Sequence, residues 1–180
     1  MILYDKMIII GGTGRNIGKT HLAEMAIEKL SRQSEVIAVK ISNVNPGNKD
    51  LHGTHEFVVE DNFLIYEEND RWGNKDSMRF LRAGATRSFF MVTDDAHLPE
   101  AFKYLKDKIK PGCVVVCESN SLRQWIRPDL FIMVDGGKQK GKKNLSQLFE
   151  WADAVVPALN QKAFDNLVSK IKIHKGKIVL

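Results

Sequence analysis

The sequence predicts an α/β protein of three layers, a mostly parallel sheet flanked by helices. Two observations predict it. Short apolar, β-branched runs alternate along the chain with stretches whose apolar residues recur at helical spacing, the pattern of a sheet covered by its own crossover helices. A glycine-rich segment, Gly11–Thr20, then joins the first such run directly to the first helical stretch. With 180 residues the chain is long enough for one sizeable core and too short for two comfortable ones, so residues 1–180 are read as a single domain.

Met7–Ile10 is the first strand. Leu22, Ala23, Ala26, Ile27 and Leu30 then recur on one helical face, with Glu24, Glu28 and Lys29 outside. Val36–Ile41 is a second strand. Phe57–Glu60 and Phe63–Tyr66 read as a hairpin turning at Asp61-Asn62, inserted after strand two. Asp76 caps a short helix through Leu81 that Gly84 ends. Phe89–Val92 is the next strand. Leu98, Ala101, Phe102, Leu105 and Ile109 make one helical face, with Pro99 in the first turn. Val114–Cys117 and Phe131–Val134 are strands of the buried type, Ala154–Val156 is another, and a helix over 164–170 precedes a final strand at 178–180. Asn43–His55 is the most loop-like stretch.

Composition narrows the class. The chain is 43% hydrophobic and 27% charged, ordinary for a globular protein. No apolar run approaches the roughly 20 residues of a membrane-spanning helix. Met1–Ile10 carries Asp5 and Lys6 and lacks the small-residue cleavage site of a signal peptide. Cys113 and Cys117 lie four apart on one strand face and are expected buried and unbridged, because a disulfide would fold the strand back on itself. They have no second pair at zinc spacing, and a reducing, cytoplasmic setting is expected. Part of the net charge of +5 is concentrated in Lys138–Lys143 and Lys170–Lys177. These segments are solvated faces or attract phosphates, and no aromatic residues interleave with them as in single-strand nucleic-acid binders.

The segment Gly-Gly-Thr-Gly-Arg-Asn-Ile-Gly-Lys-Thr has the chemistry of a phosphate loop. Glycines after a strand let the chain turn sharply and aim backbone N–H groups at an anion, and the following helix adds its positive end. Gly12, Thr13, Gly14, Arg15, Asn16, Ile17 and Gly18 form the cradle. Lys19 reaches the β- and γ-phosphates, and the Thr20 hydroxyl joins a Mg²⁺ shell. The common spacing has glycine five residues before Gly18, where this chain has Thr13 flanked by Gly12 and Gly14. The string Gly-Thr-x-x-x-Ile-Gly-Lys-Thr resembles the variant loop of the dethiobiotin synthetases.

Ligands of open α/β sheets sit outside the carboxyl ends of the strands, and several polar residues gather there. Glu118 is the preferred acidic partner for Mg²⁺, with a helix-capping role the alternative. Lys40 contacts substrate or phosphate, or is solvated. Asp94 and Asp95 cap the next helix or join the site, and Asp135 is a turn residue or a ligand. His52 and His55 are solvated side chains or a metal pair. Asn160 reads a base or caps a helix.

Lys75-Asp-Ser-Met-Arg-Phe-Leu-Arg-Ala-Gly-Ala85 resembles a segment of the molybdopterin-guanine dinucleotide biosynthesis adaptor family, MobB. Val36-Ile-Ala-Val-Lys40 resembles that family's second strand, and Glu118 falls at its glutamate after a valine-rich strand. The resemblance covers most of residues 7–134. It implies a P-loop nucleotide-binding fold, GTP binding with weak hydrolysis, and assistance to guanylyl transfer onto molybdopterin, with a protein partner and often as a homodimer. It also places Asp76 and Arg79 near the nucleotide or a dimer contact. The chain departs from the family after strand two, where Ile41-Ser-Asn-Val-Asn-Pro-Gly replaces a histidine-rich stretch, and after Glu118, where Ser119-Asn-Ser-Leu122 replaces a Gly-Phe-Lys run.

The expectation is therefore a binder of GTP or ATP with Mg²⁺, in which Lys19 and Lys40 carry any phosphoryl chemistry. An ATP-dependent small-molecule kinase or ligase of the dethiobiotin synthetase type is the alternative. A nucleotide-switched nucleic-acid-interaction protein stands third.

Overall fold

The computed structural model describes residues 1–43, 57–60 (backbone only), 62–137 and 145–180. The strands are β1 (Ile2–Gly12), β2 (Val36–Asn43), β3 (Phe57–Glu60), β4 (Phe63–Glu68), β5 (Arg87–Thr93), β6 (Val114–Glu118), β7 (Ile126–Asp135), β8 (Ala154–Pro157), β9 (Lys172–His174) and β10 (Lys177–Val179). The helices are α1 (Lys19–Ser31), α2 (Asp76–Arg82), α3 (Leu98–Asp107), α4 (Leu145–Glu150) and α5 (Gln161–Lys170), with a single 3₁₀ turn at Leu122–Gln124.

Eight strands form one sheet in the order β3-β4-β5-β2-β6-β1-β7-β8. From β5 to β8 every neighbouring pair is parallel, while β4 runs antiparallel to β5 and β3 antiparallel to β4. The central strands are buried on both faces, which is why they read as continuous apolar runs. Their side chains still alternate. Met7 and Ile9 join the core under α3 and α4, whereas Ile8 and Ile10 join the core under α1 and α5. Cys113 and Cys117 are free, buried and in the same core, on one face as their spacing requires. No described helix is long and apolar enough to cross a membrane.

The structure corrects several expectations. The first strand is longer than Met7–Ile10, because its N-terminal half pairs with β7 from Ile2 opposite Ile126. The polar Asp5-Lys6 pair that interrupts its apolar pattern is a bulge, with Lys6 at φ 57 and a register shift between Tyr4 and Ile8. Asp76 does not cap α2 with its side chain; Lys75 holds the cap position, and Asp76 is the first helical residue. Gly84 does end that helix, at φ 107. The terminal strand does not join the main sheet but pairs with β9 as a separate two-stranded hairpin. Helix α4, with Leu148 buried, has no counterpart in the sequence pattern. The segment 44–56, with His52 and His55, and the lysine run 138–143 lie outside the described residues.

Candidate functional site

The sheet topology brings the carboxyl ends of β1, β2 and β6 side by side, with the amino end of α1 above them. Gly12 ends β1, and a side chain there is impossible without movement: a Cβ would lie 2.7 Å from Ile17 Cδ1 and 2.9 Å from the Val134 carbonyl. The Asn120 amide clamps this glycine on both sides, accepting from its N–H at 2.6 Å and donating to its carbonyl at 2.8 Å. Thr13, the departure from the common loop spacing, is buried. Its N–H bonds the Val134 carbonyl and its hydroxyl accepts from Gly136 N–H at 2.9 Å. Thr13 thus ties the loop root to β7 through its backbone and to Gly136 through its hydroxyl, a second bond that glycine could not make.

Asn16 at φ 56 and Gly18 at φ 96 bend the loop into the helix, and Gly18 takes the cap position of α1. A left-handed cap without a side chain suits glycine, and a Cβ there would also press on the Phe164 ring at 3.0 Å. No described residue accepts a hydrogen bond from the backbone N–H of Arg15, Asn16, Ile17 or Gly18. Together with the helix end, these donors make a concave, electropositive rim. Lys19 folds back so that its ammonium bonds the Gly14 carbonyl.

Beneath the rim lies Glu118, at the end of β6 and 3% exposed. Its Oε2 accepts from the Thr20 hydroxyl at 2.8 Å, and its Oε1 from Lys40 Nζ at 2.6 Å. Lys19 Nζ stands 4.0 Å from the same carboxylate. Lys40 also pairs with Asp76 at 2.8 Å. Burial alone would lower the pKa of Lys40, but the two carboxylates outweigh it and hold the ammonium above its ordinary value. Arg79 of α2 is gripped bidentately by Glu24 of α1, at 2.9 and 2.6 Å, which fixes the two helices around the opening.

These side chains enclose a cavity of about 480 Å³, lined by the loop from Arg15 to Thr20 and by Lys40, Asp76, Arg79 and Glu118. Of the residues read from sequence, Arg15, Asn16, Ile17, Gly18, Lys19, Thr20, Lys40 and Glu118 border this space. Gly12, Thr13 and Gly14 do not: Gly12 and Thr13 are turned inward as the loop's foundation, and Gly14 is buried with its carbonyl accepting from Lys19. Glu118 is not a helix cap, since the Ser119 hydroxyl accepts from Leu122 N–H instead. Asp94 accepts from His97 N–H and Asp95 from the Asn43 amide, so neither reaches the cavity. Asp135 accepts from Gly137 N–H as a turn residue. The Asn160 side chain caps α5 through Ala163 N–H.

Asn120, Ser42 and His21 belong to no motif that the sequence displays. Asn120 was findable in principle, because it follows a strand that neighbours β1, and parallel neighbours end on the same side. Among the described residues, no group of three histidine, cysteine or acidic side chains could hold a metal ion unaided. The chain matches no family model, no curated protein and no solved structure.

Proposed function

We propose that the chain binds a nucleoside triphosphate, GTP in preference to ATP, with its phosphates in the loop from Gly12 to Thr20. The observation that carries this reading is the juxtaposition of loop N–H groups with no acceptor among the described residues, Lys19 and the Thr20–Glu118 pair at the amino end of α1. An anion meets donors and a helix dipole there, and no carboxylate other than Glu118 and Asp76 lines the opening among the described residues. Lys19 exchanges its bond to the Gly14 carbonyl for phosphate oxygens, and the loop N–H groups orient the chain of phosphates.

Mg²⁺ fits this donor set. Thr20 and Glu118 present two hard oxygen ligands within 2.8 Å of each other. No group of three histidine, cysteine or acidic side chains gathers there among the described residues, which suits an ion that keeps waters and takes phosphate oxygens. When bound, the ion neutralises charge on the terminal phosphates. The protein's own groups hold the nucleotide, keep Lys40 protonated beside the site and position Glu118.

The resemblance to the MobB adaptors extends the reading to slow triphosphate hydrolysis in support of a partner enzyme of molybdenum cofactor biosynthesis. A second reading is favoured by one feature. The cavity continues beyond the loop to Lys40, Ser42 and Arg79, room for an acceptor as in an ATP-dependent kinase or ligase. Titration with fluorescent GTP and ATP analogues, with and without Mg²⁺, tests both. Wild type is expected to bind GTP in the presence of Mg²⁺ and Lys19→Ala to lose at least tenfold, roughly 1.4 kcal/mol. ATP preference favours the kinase reading, and equal weak binding by both proteins removes the nucleotide reading altogether.

A further inference from the structure

The far end of β1, opposite the cavity, has one open side. Residues 2–4 pair with β7, but β6 joins β1 only from Met7 onward. Ile2 N–H donates to the Trp125 carbonyl at 2.9 Å, so Ile2 and Tyr4 turn their peptide groups toward β7. By strand alternation Leu3 turns its N–H and carbonyl the other way, where no described strand pairs with it, although β10 packs against β1 nearby. The separation from β6 is built in. Lys6 sits in the left-handed region at φ 57, and the Asp129 carboxylate holds the bulge by accepting from Lys6 N–H at 2.7 Å and from Ile178 N–H at 2.9 Å. A partly buried carboxylate thus fixes a non-glycine residue in a left-handed conformation, and bulges commonly re-aim a strand or end its pairing.

A groove of about 690 Å³ follows this open side. Tyr4 and Ile109 belong to its lining, and Leu3 stands 69% exposed beside them. Lys6, Lys106 and Lys110 line it with Asp5 and Asp107. Lys6 donates to the Gly112 carbonyl at 3.1 Å, Lys106 stands 5.6 Å over the Tyr4 ring, and Lys110 pairs with exposed Glu35 at 3.5 Å, a contact that an incoming carboxylate would replace. Asp5 is already paired with Lys177 of the C-terminal hairpin, at 3.8 Å. That hairpin reaches the groove at Gly176 and carries Lys172, Lys175 and Lys177 exposed. The groove therefore offers an unpaired main-chain edge, an apolar floor and an excess of positive charge.

We propose that this groove binds an extended acidic segment of a partner protein, which adds to the open edge of β1 as a further strand. Main-chain groups of the segment pair with Leu3, alternate apolar side chains meet Tyr4 and Ile109, and carboxylates meet Lys106 and Lys110. Nucleic acid could use the lysines but has no means of pairing a strand edge, which is why a peptide is the occupant assigned.

The test is fluorescence anisotropy at low ionic strength with a labelled seven-residue peptide of alternating valine and glutamate. Saturable binding is expected, weakened at least about tenfold by Lys106→Glu with Lys110→Glu, and weakened similarly by Leu3→Pro, which removes the outward N–H. The same peptide N-methylated at alternate nitrogens keeps its charge and is expected not to bind the wild type; this arm needs no variant to fold. Undiminished binding of the methylated peptide overturns the proposal, since charge alone would then suffice. Tighter binding of an oligothymidylate that displaces the peptide also overturns it. So does sedimentation showing self-association through this edge, abolished by Leu3→Pro, with no peptide binding. Nucleotide titration of the same variants is expected to be unchanged, so failure here is separable from failure of the nucleotide reading.

Discussion

Thr20 donates its hydroxyl hydrogen to Glu118 Oε2 at 2.8 Å, across 98 residues of chain. One contact thus joins the first turn of α1 to the end of β6, and Lys40 completes it from β2 at 2.6 Å. Three elements converge on one buried carboxylate, and its removal tests how much of the local structure depends on it.

Glu118→Ala leaves the Lys40 and Lys19 ammonium groups facing each other beside a cavity. Breaking a buried pair in this way costs about 3 kcal/mol. Urea unfolding is expected to show that loss, and Glu118→Gln paired with Lys40→Met to recover most of it. A single Glu118→Ala that unfolds like wild type would mean the pair is well solvated.

The glycines separate steric from conformational demand. Gly12→Ala meets Ile17 Cδ1 at 2.7 Å and the Val134 carbonyl at 2.9 Å, whereas at Gly112, with φ 92, an added Cβ would have nothing within 4 Å. Gly112→Ala is expected to cost about 1 kcal/mol for the left-handed backbone alone. Gly12→Ala should cost about 1–3 kcal/mol by overpacking and shift the loop it anchors. Thermal unfolding of the two variants ranks them.

Cys117 has no exposed surface, and burial pushes its thiol well above the ordinary range, with Glu118 adding to the effect. It should resist a thiol-selective disulfide reagent in the native protein and react at the rate of global opening. Cys113 is 7% exposed just before the start of β6, with its pKa raised by burial and by its bond to Glu35. It should react first. Rapid labelling of Cys117 would contradict the packing of β6.

Glu67 and Arg87 tie β4 to β5 through two bonds of 2.6 Å. The bond to Arg87 holds the Glu67 pKa below its ordinary value despite partial burial. A depressed folded-state pKa gives stability that is present above the unfolded pKa, near 4.5, and lost as pH falls through the folded value. Glu67→Gln should therefore remove up to about 1 kcal/mol from the total stability lost along the acid limb of a stability–pH curve. An unchanged limb between pH 5 and 3, as a rough window, would place no net interaction in this pair.

The layers were legible in the sequence because each central strand is apolar on both faces and each covering helix on one. The turn from β1 into α1 was legible because glycines stand between an apolar run and a stretch of helical periodicity. What pattern could not reveal is pairing at a distance. Ile2–Tyr4 becomes strand only because β7 lies beside it, and Asp76 leaves the cap role because Lys40 offers a better partner than a backbone N–H. Asn120 becomes readable only through the sheet order: its two bonds to Gly12 exist once β6 and β1 are neighbours. Helix α4 is too short for periodicity to announce it.

β1 carries the groove at its bulged end and the loop at its other. Eleven residues of strand at roughly 3.3 Å each span about 35 Å. That is about four screening lengths at physiological salt. The lysines at the foot of the sheet therefore add almost nothing to the pull on an anion at its top. Salt should weaken the two ends independently, each with its own slope, and an occupant at one leaves the electrostatic attraction at the other intact.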